Sequence, residues 1–147
     1  MRKWLSGIFL FILLFVLFSS NAFAESRKFL VILQAGTETH EGMARAVHAL
    51  LYSKELKEHG YEVVLIFDGA GTEWIEKWAK ADETDKLANS YKELRGMGVT
   101  QVVCDFCATA FQVKESLEKS NVTLSGEYQG HPNIAEWVDK GYELIIL

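Results

Sequence analysis

Apolar and polar positions fall into alternating blocks along this chain. "KFLVILQ" (28–34), "YEVVLIF" (61–67) and "VTQVVC" (99–104) are compact apolar runs, each followed by small or polar residues: "AGTETH" (35–40), "DGAGT" (68–72) and, around the second cysteine, "CDFCAT" (104–109). Runs of this kind predict strands buried on both faces. Between the first two, Met43, Ala46, Val47, Leu50 and Leu51 recur at three-and-four spacing, which predicts a helix burying those five and ending at Gly60, just after His59. Thr72 is expected to cap a short helix carrying Trp74, Ile75 and Trp78, and a further helix with Leu87, Tyr91 and Leu94 runs up to Gly96 and Gly98. Ala108 to Lys119 reads as one helix with Ala110, Phe111, Val113 and Leu117 on the core. Residues 121–133 read as a loop with a short strand at Val122 to Leu124, and the chain closes with a helix over Ile134 to Lys140 and a last strand, "YELIIL" (142–147).

Continuously apolar strands alternating with helices predict a three-layer α/β/α fold around a mostly parallel sheet of about five strands. The loops leaving the carboxyl ends of such strands share one edge of the sheet, the edge where open α/β folds bind ligands. "AGTETH", "DGAGT" and "CDFCAT" are those loops.

The first 24 residues stand apart from this pattern. Arg2 and Lys3, an apolar stretch from Ile8 to Phe18, and Ala22-Phe23-Ala24 in small-x-small order read as a cleaved export signal, too short in its apolar part for a comfortable span. A periplasmic or secreted location is therefore expected. No cysteine lies near the cleavage point, so a lipid anchor is not expected. Residues 25–147 remain as a single domain with one core. Losing Arg2 and Lys3 lowers the basic count from 15 to 13 against 20 acidic residues and takes the formal charge from −5 to −7. That balance argues against a nucleic-acid or anionic-membrane partner, which needs clustered cations.

The two cysteines of the chain, Cys104 and Cys107, form a Cys-x-x-Cys at the end of the third strand. As a staple the pair would close too small a loop to stabilise much. Placed where a strand meets a helix start, the thiols are expected to have a lowered pKa from unpaired N–H groups, with Asp105 opposing. Their spacing lets Cys107 resolve an adduct on Cys104. Packing as small hydrophobes and metal ligation are the competing readings. Zinc would need two further ligands, and with no second Cys-x-x-Cys only histidines remain, so no metal site is assigned. "DGAG" lacks a dinucleotide fingerprint, and no cofactor is expected. His40, at the end of "AGTETH", is a candidate proton donor or thiolate partner, with an exposed helix-opening residue as the alternative. His131 can reach the same edge. Glu38, Glu41 and Asp68 are carboxylates near it that no spacing rule singles out. His48 and His59 read as surface residues, and Trp74 and Trp78 as core or interface anchors. A thioredoxin arrangement is disfavoured, because Pro132, the one proline, introduces a helix and two β-α units precede the cysteines.

From residue 28 to 147 the order of segments resembles the DsrE/DsrF-like sulfur-relay family, which includes TusD and YchN-like proteins. The resemblance is carried by the opening strand, "GTETHEGMARAVHALLYSKELKEHGYEVVLIFDGAG", "GVTQVVCDFCATAFQV" and "WVDKGYELIIL". It implies that Cys104, at the family's cysteine position, carries a persulfide as a sulfurtransferase or sulfur carrier, and that Cys107 matches a second thiol found in some relatives. It further implies a sulfur donor or acceptor protein or a small thiol as partner, and a homo-oligomer, typically a trimer or hexamer. Where relatives often have Arg-Gly after the cysteine, this chain has Phe111-Gln112. The alternative from another class is a non-enzymatic oligomeric module that binds a small ligand or metal at the same sheet edge.

Overall fold

The structure, a computed structural model, describes residues 26–120 and 122–147, so the leader read over residues 1–24 lies outside the described residues. Five strands form one sheet: β1 (Lys28–Leu33), β2 (Glu62–Phe67), β3 (Thr100–Cys104), β4 (Thr123–Ser125) and β5 (Tyr142–Ile146). Their order is β4-β3-β2-β1-β5 and every pairing is parallel. The α/β fold with a parallel five-stranded sheet is thus as the apolar blocks predict.

Among the described residues six α-helices connect the strands: α1 (His40–Glu58), α2 (Thr72–Ala79), α3 (Lys86–Gly96), α4 (Asp105–Ala110), α5 (Lys114–Glu118) and α6 (Ile134–Asp139). Handedness decides which face each one covers. From β1 to β4 the chain steps in one direction across the sheet, and right-handed crossovers then place α1 to α5 on the same face. Only the return from β4 to β5 runs the other way, which sends α6 to the opposite face. The core follows this division. Val31, Leu33, Leu65, Phe67 and Val103 meet Ala46, Leu50, Trp74, Trp78, Tyr91, Leu94 and Leu117 on the first face. The second face holds the smaller cluster of Leu30, Ile32, Val64, Ile66, Val102 and Tyr142 under Ile134 and Trp137.

β1, β2 and β3 are buried over most of their length, as their apolar runs predict, and β5 is not. α6 is a six-residue helix with no buried residue, and β5 is an edge strand, so Leu144 and Ile146 remain 39% and 57% exposed. Two helices also differ from the pattern. On α1 the buried stripe is Gly42, Ala46, Ala49, Leu50 and Ser53, while Met43 and Leu51 face solvent at 38% and 55% exposure. A small residue lets the first turn of α1 lie against the loop that leaves β1: a Cβ at Gly42 would stand 2.1 Å from the Gly36 carbonyl oxygen. The segment expected as one helix from Ala108 to Lys119 is two, because α4 ends in a Schellman motif. Gln112 takes φ 61°, Gln112 N–H donates to Thr109 O at 3.1 Å and Val113 N–H to Ala108 O at 2.9 Å. Val113 is tucked into the core while Ala110 and Phe111 turn outward.

Thr72 does not cap α2 from outside. It is the first helical residue, and its hydroxyl donates back to Gly69 O at 3.0 Å. Trp74 and Trp78 are core residues, fully buried, with Trp74 Nε1 donating to Ala35 O at 2.9 Å. Among the described residues no helix is long and apolar enough to cross a membrane.

Candidate functional site

Parallel pairing determines what lies beside the cysteines. Phe67, the last residue of β2, is in register with Val103 on β3, so the residues that follow them, Asp68 and Cys104, emerge side by side at the carboxyl edge. Cys104 is both the last residue of β3 and the N-cap of α4, its Sγ accepting from Cys107 N–H at 3.4 Å. A sulfur in this position does what a Ser or Asp oxygen does at other helix starts. It also fixes Cys107 on the first turn, facing the same way.

The third contributor comes from the loop before α6. Tyr128 and His131 close a tight turn through two backbone bonds, Tyr128 N–H to His131 O at 2.8 Å and His131 N–H to Tyr128 O at 2.9 Å. Gly130 makes the turn possible: its φ is +87°, and a Cβ there would stand 3.2 Å from Phe106 Cβ. Phe106 N–H donates to Gly130 O at 2.9 Å, and the Phe106 and His131 rings lie 4.7 Å apart. α4 therefore holds the turn that carries His131. Pro132 follows and biases His131 to extended backbone.

These elements bring four side chains together. Cys104 Sγ lies 3.2 Å from His131 Nδ1, Cys107 Sγ lies 4.0 Å from the same nitrogen, and Cys107 Sγ donates to Asp68 Oδ1 at 3.2 Å. One donor atom from each of the four residues falls within 4.8 Å of the others. Both thiols are free and buried, whereas Asp68 and His131 are half-buried. The second carboxylate oxygen, Asp68 Oδ2, accepts from Gln34 Nε2 at 2.9 Å.

Outside the sulfurs, Asp68 and His131 line a cleft of about 710 Å³ over the carboxyl halves of β5, β1 and β2, between Ile32, Ile66, Leu144, Ile146 and the residues leading into α6. The strand order reverses between β1 and β5, which is where open sheets of this class form their crevice.

Electrostatics corrects the expectation of easily ionised thiols. Burial pushes both thiols above their ordinary range; for Cys104 the N–H of Cys107 opposes this only in part, and for Cys107 the hydrogen bond to Asp68 adds to it. The six-residue α4 is too short a dipole to overcome the loss of water. Desolvation also works against the Asp68 carboxylate, but hydrogen bonds, led by those from Gln34 and Cys107, outweigh it and hold its pKa below the usual range.

Of the residues proposed from sequence, Cys104, Cys107, His131 and Asp68 meet. His40 does not join them: it opens α1 on an exposed position, while the hydrogen bonds of the thiols run to His131 and Asp68. Glu38 is exposed, and Glu41 pairs with Arg45 at 2.6 Å. His48 and His59 are on the surface as expected. Gln34 was not anticipated. Its signal was positional, since Gln34, Asp68 and Cys104 are the residues at the carboxyl ends of three adjacent strands.

A parallel α/β domain with a buried Cys-x-x-Cys at the carboxyl edge of its third strand is a thiol protein unlike the thioredoxins. It belongs to the DsrE/DsrF-like family, whose model matches residues 27–147. The chain is 33% identical over 101 residues to the uncharacterized protein MJ0733 of Methanocaldococcus jannaschii, a match covering 69% of this chain and 78% of that protein. Its fold is similar to that of the conserved protein of unknown function BT1422 from Bacteroides thetaiotaomicron, with a TM-score of 0.60, 17% identity, and coverage of 86% of this chain and 100% of that one.

Proposed function

We propose that this chain is an exported sulfur-transfer or thiol-redox protein in which Cys104 takes up sulfane sulfur and Cys107 resolves it. The observation that carries this is that the nearest partners of the two thiols differ: for Cys104 the imidazole nitrogen of His131, for Cys107 the carboxylate of Asp68. Family membership supports the same chemistry.

The steps balance. With its ring proton on Nε2, His131 Nδ1 accepts the Cys104 proton, which matters because burial disfavours the free thiolate. The Cys104 sulfur attacks the outer sulfur of a donor persulfide, R–S–SH. The new S–S bond on Cys104 forms as the donor S–S bond breaks, R–SH leaves with a proton, and Cys104 becomes Cys–S–SH with no net oxidation. Cys107 can then attack Cys104 Sγ, expelling sulfide: two thiols are oxidised to a disulfide and one sulfane sulfur is reduced. Transfer to an acceptor thiol instead leaves the pair reduced. Partners are accordingly a sulfur donor or acceptor protein, or a small thiol.

Mass spectrometry of the reduced chain after exposure to a small-molecule persulfide should find a gain of one sulfur on Cys104, and Cys107→Ser should lengthen its lifetime. Absence of any adduct on Cys104 under conditions that load a known carrier would refute the reading. Export rests on the leader pattern of residues 1–24. A processed amino terminus at residue 25 in the extracytoplasmic fraction is the expected result.

A further inference from the structure

We propose that Cys104, Cys107, His131 and Asp68 form a binding site for one Zn²⁺ ion, with four protein ligands. The sequence supplied only two sulfurs at metal-site spacing; the fold supplies the missing nitrogen and oxygen from two other loops.

The geometry is close to what the ion needs. Zinc bonds of about 2.0–2.3 Å in a tetrahedron place neighbouring donor atoms roughly 3.3–3.8 Å apart. The distances here are 3.2 Å from Cys104 Sγ to His131 Nδ1, 4.0 Å from Cys107 Sγ to the same nitrogen, and 3.2 Å from Cys107 Sγ to Asp68 Oδ1. No pair among the four exceeds 4.8 Å, so closure around an ion asks for side-chain shifts of about 1 Å at most. Two thiolates, an imidazole and a carboxylate suit a borderline-soft ion, while Mg²⁺ and Ca²⁺ favour all-oxygen shells.

The surrounding contacts leave the needed atoms available. Gln34 holds Asp68 Oδ2, which turns Oδ1 toward the sulfurs, and the Phe106 ring backs the His131 ring at 4.7 Å. Such supporting contacts orient ligands in protein metal sites. An entry path exists, because Asp68 and His131 both line the cleft that opens to solvent. Binding replaces the protons of both thiols by the metal, with two protons released to solvent and no electron transferred. The ion and a persulfide would therefore exclude one another at Cys104.

The test is equilibrium binding of Zn²⁺ to the reduced full chain, with Co²⁺ as a spectroscopic probe. One ion per chain is expected, and Co²⁺ should give the intense visible bands of a tetrahedral site together with sulfur-to-cobalt charge transfer. Asp68→Asn and His131→Gln should each weaken Zn²⁺ binding by about tenfold or more. Zn²⁺ binding to the native chain no tighter than to a Cys104→Ser, Cys107→Ser variant of unchanged circular dichroism overturns the inference, as does an octahedral cobalt spectrum of the native chain, a readout that needs no variant. Persulfide uptake by the metal-free chain is measured alongside. Uptake without metal binding removes this site and spares the sulfur-transfer reading, and metal binding without uptake does the reverse.

Discussion

Cys104 and Cys107 sit three residues apart on one turn, yet the nearest partner of one is a neutral imidazole nitrogen and that of the other a carboxylate. Cys104 can hand its proton to His131 Nδ1, whereas Cys107 points its proton at the Asp68 carboxylate, which holds it there. For Cys107, both the hydrogen bond to Asp68 and its negative charge raise the thiol pKa on top of burial. Removing that charge should therefore move the Cys107 titration down while leaving the burial contribution in place. The expected outcome is slow alkylation of both thiols at neutral pH, a rise that sets in above the ordinary thiol value of about 8.5, and a shift of the Cys107 profile to lower pH in Asp68→Asn. Residue-resolved alkylation by mass spectrometry reads this directly. A Cys107 profile that stays put or moves upward would show that Asp68 does not hold the proton.

At the scale of elements, the turn from Tyr128 to His131 matters most for a segment so small. It is fastened to α4 by the Phe106 N–H bond to Gly130 O, so the element that starts at Cys104 also positions the histidine opposite Cys104. Gly130→Ala would place a side chain at φ +87° and 3.2 Å from Phe106 Cβ. The strain is about 1–2 kcal/mol. The chain should remain folded, with a lower thermal midpoint, and lose sulfur uptake out of proportion because His131 leaves its place beside the sulfur. Equal uptake by Gly130→Ala and the native chain would mean that His131 placement is unimportant. The turn also marks the limit of what the sequence discloses. Cys104 at a strand end and Gly60 ending α1 follow from local pattern, since an apolar run and a glycine act on their own neighbours. His131 was one of two histidines able to reach the edge, and Asp68 one of three carboxylates near it, because their selection depends on β2–β3 register and on a turn docked against α4. Ala46 and Leu50 are buried as the periodicity predicts, but Met43 and Leu51 misled for a related reason: the rest of the buried stripe of α1 is Gly42, Ala49 and Ser53, small residues that an apolar pattern passes over.

For the whole molecule, the strand order β4-β3-β2-β1-β5 puts five helices on one face and leaves the last strand short of cover. Edge strands in soluble proteins are commonly shielded by charge, and here Glu143 pairs with Arg27 at 2.8 Å. Leu144 and Ile146 nonetheless stay exposed on the cleft side, and Ile145 packs only partly against the main core. We propose self-association along β5, the trimer or hexamer that the family resemblance implies, on the ground of these exposed side chains. Completing the burial of Leu144 and Ile146 would contribute roughly 1 kcal/mol per side chain to each contact. Light scattering at micromolar concentration should find an assembly larger than one chain, and the double substitution Leu144→Lys, Ile146→Lys should shift it toward monomer with unchanged circular dichroism. Because both residues also line the cleft next to Asp68 and His131, an assembly closed over β5 would narrow the approach to the thiols. The monomeric variant should then alkylate faster at Cys104 at the same pH. A native chain that is monomeric at these concentrations would remove the assembly and the gating together.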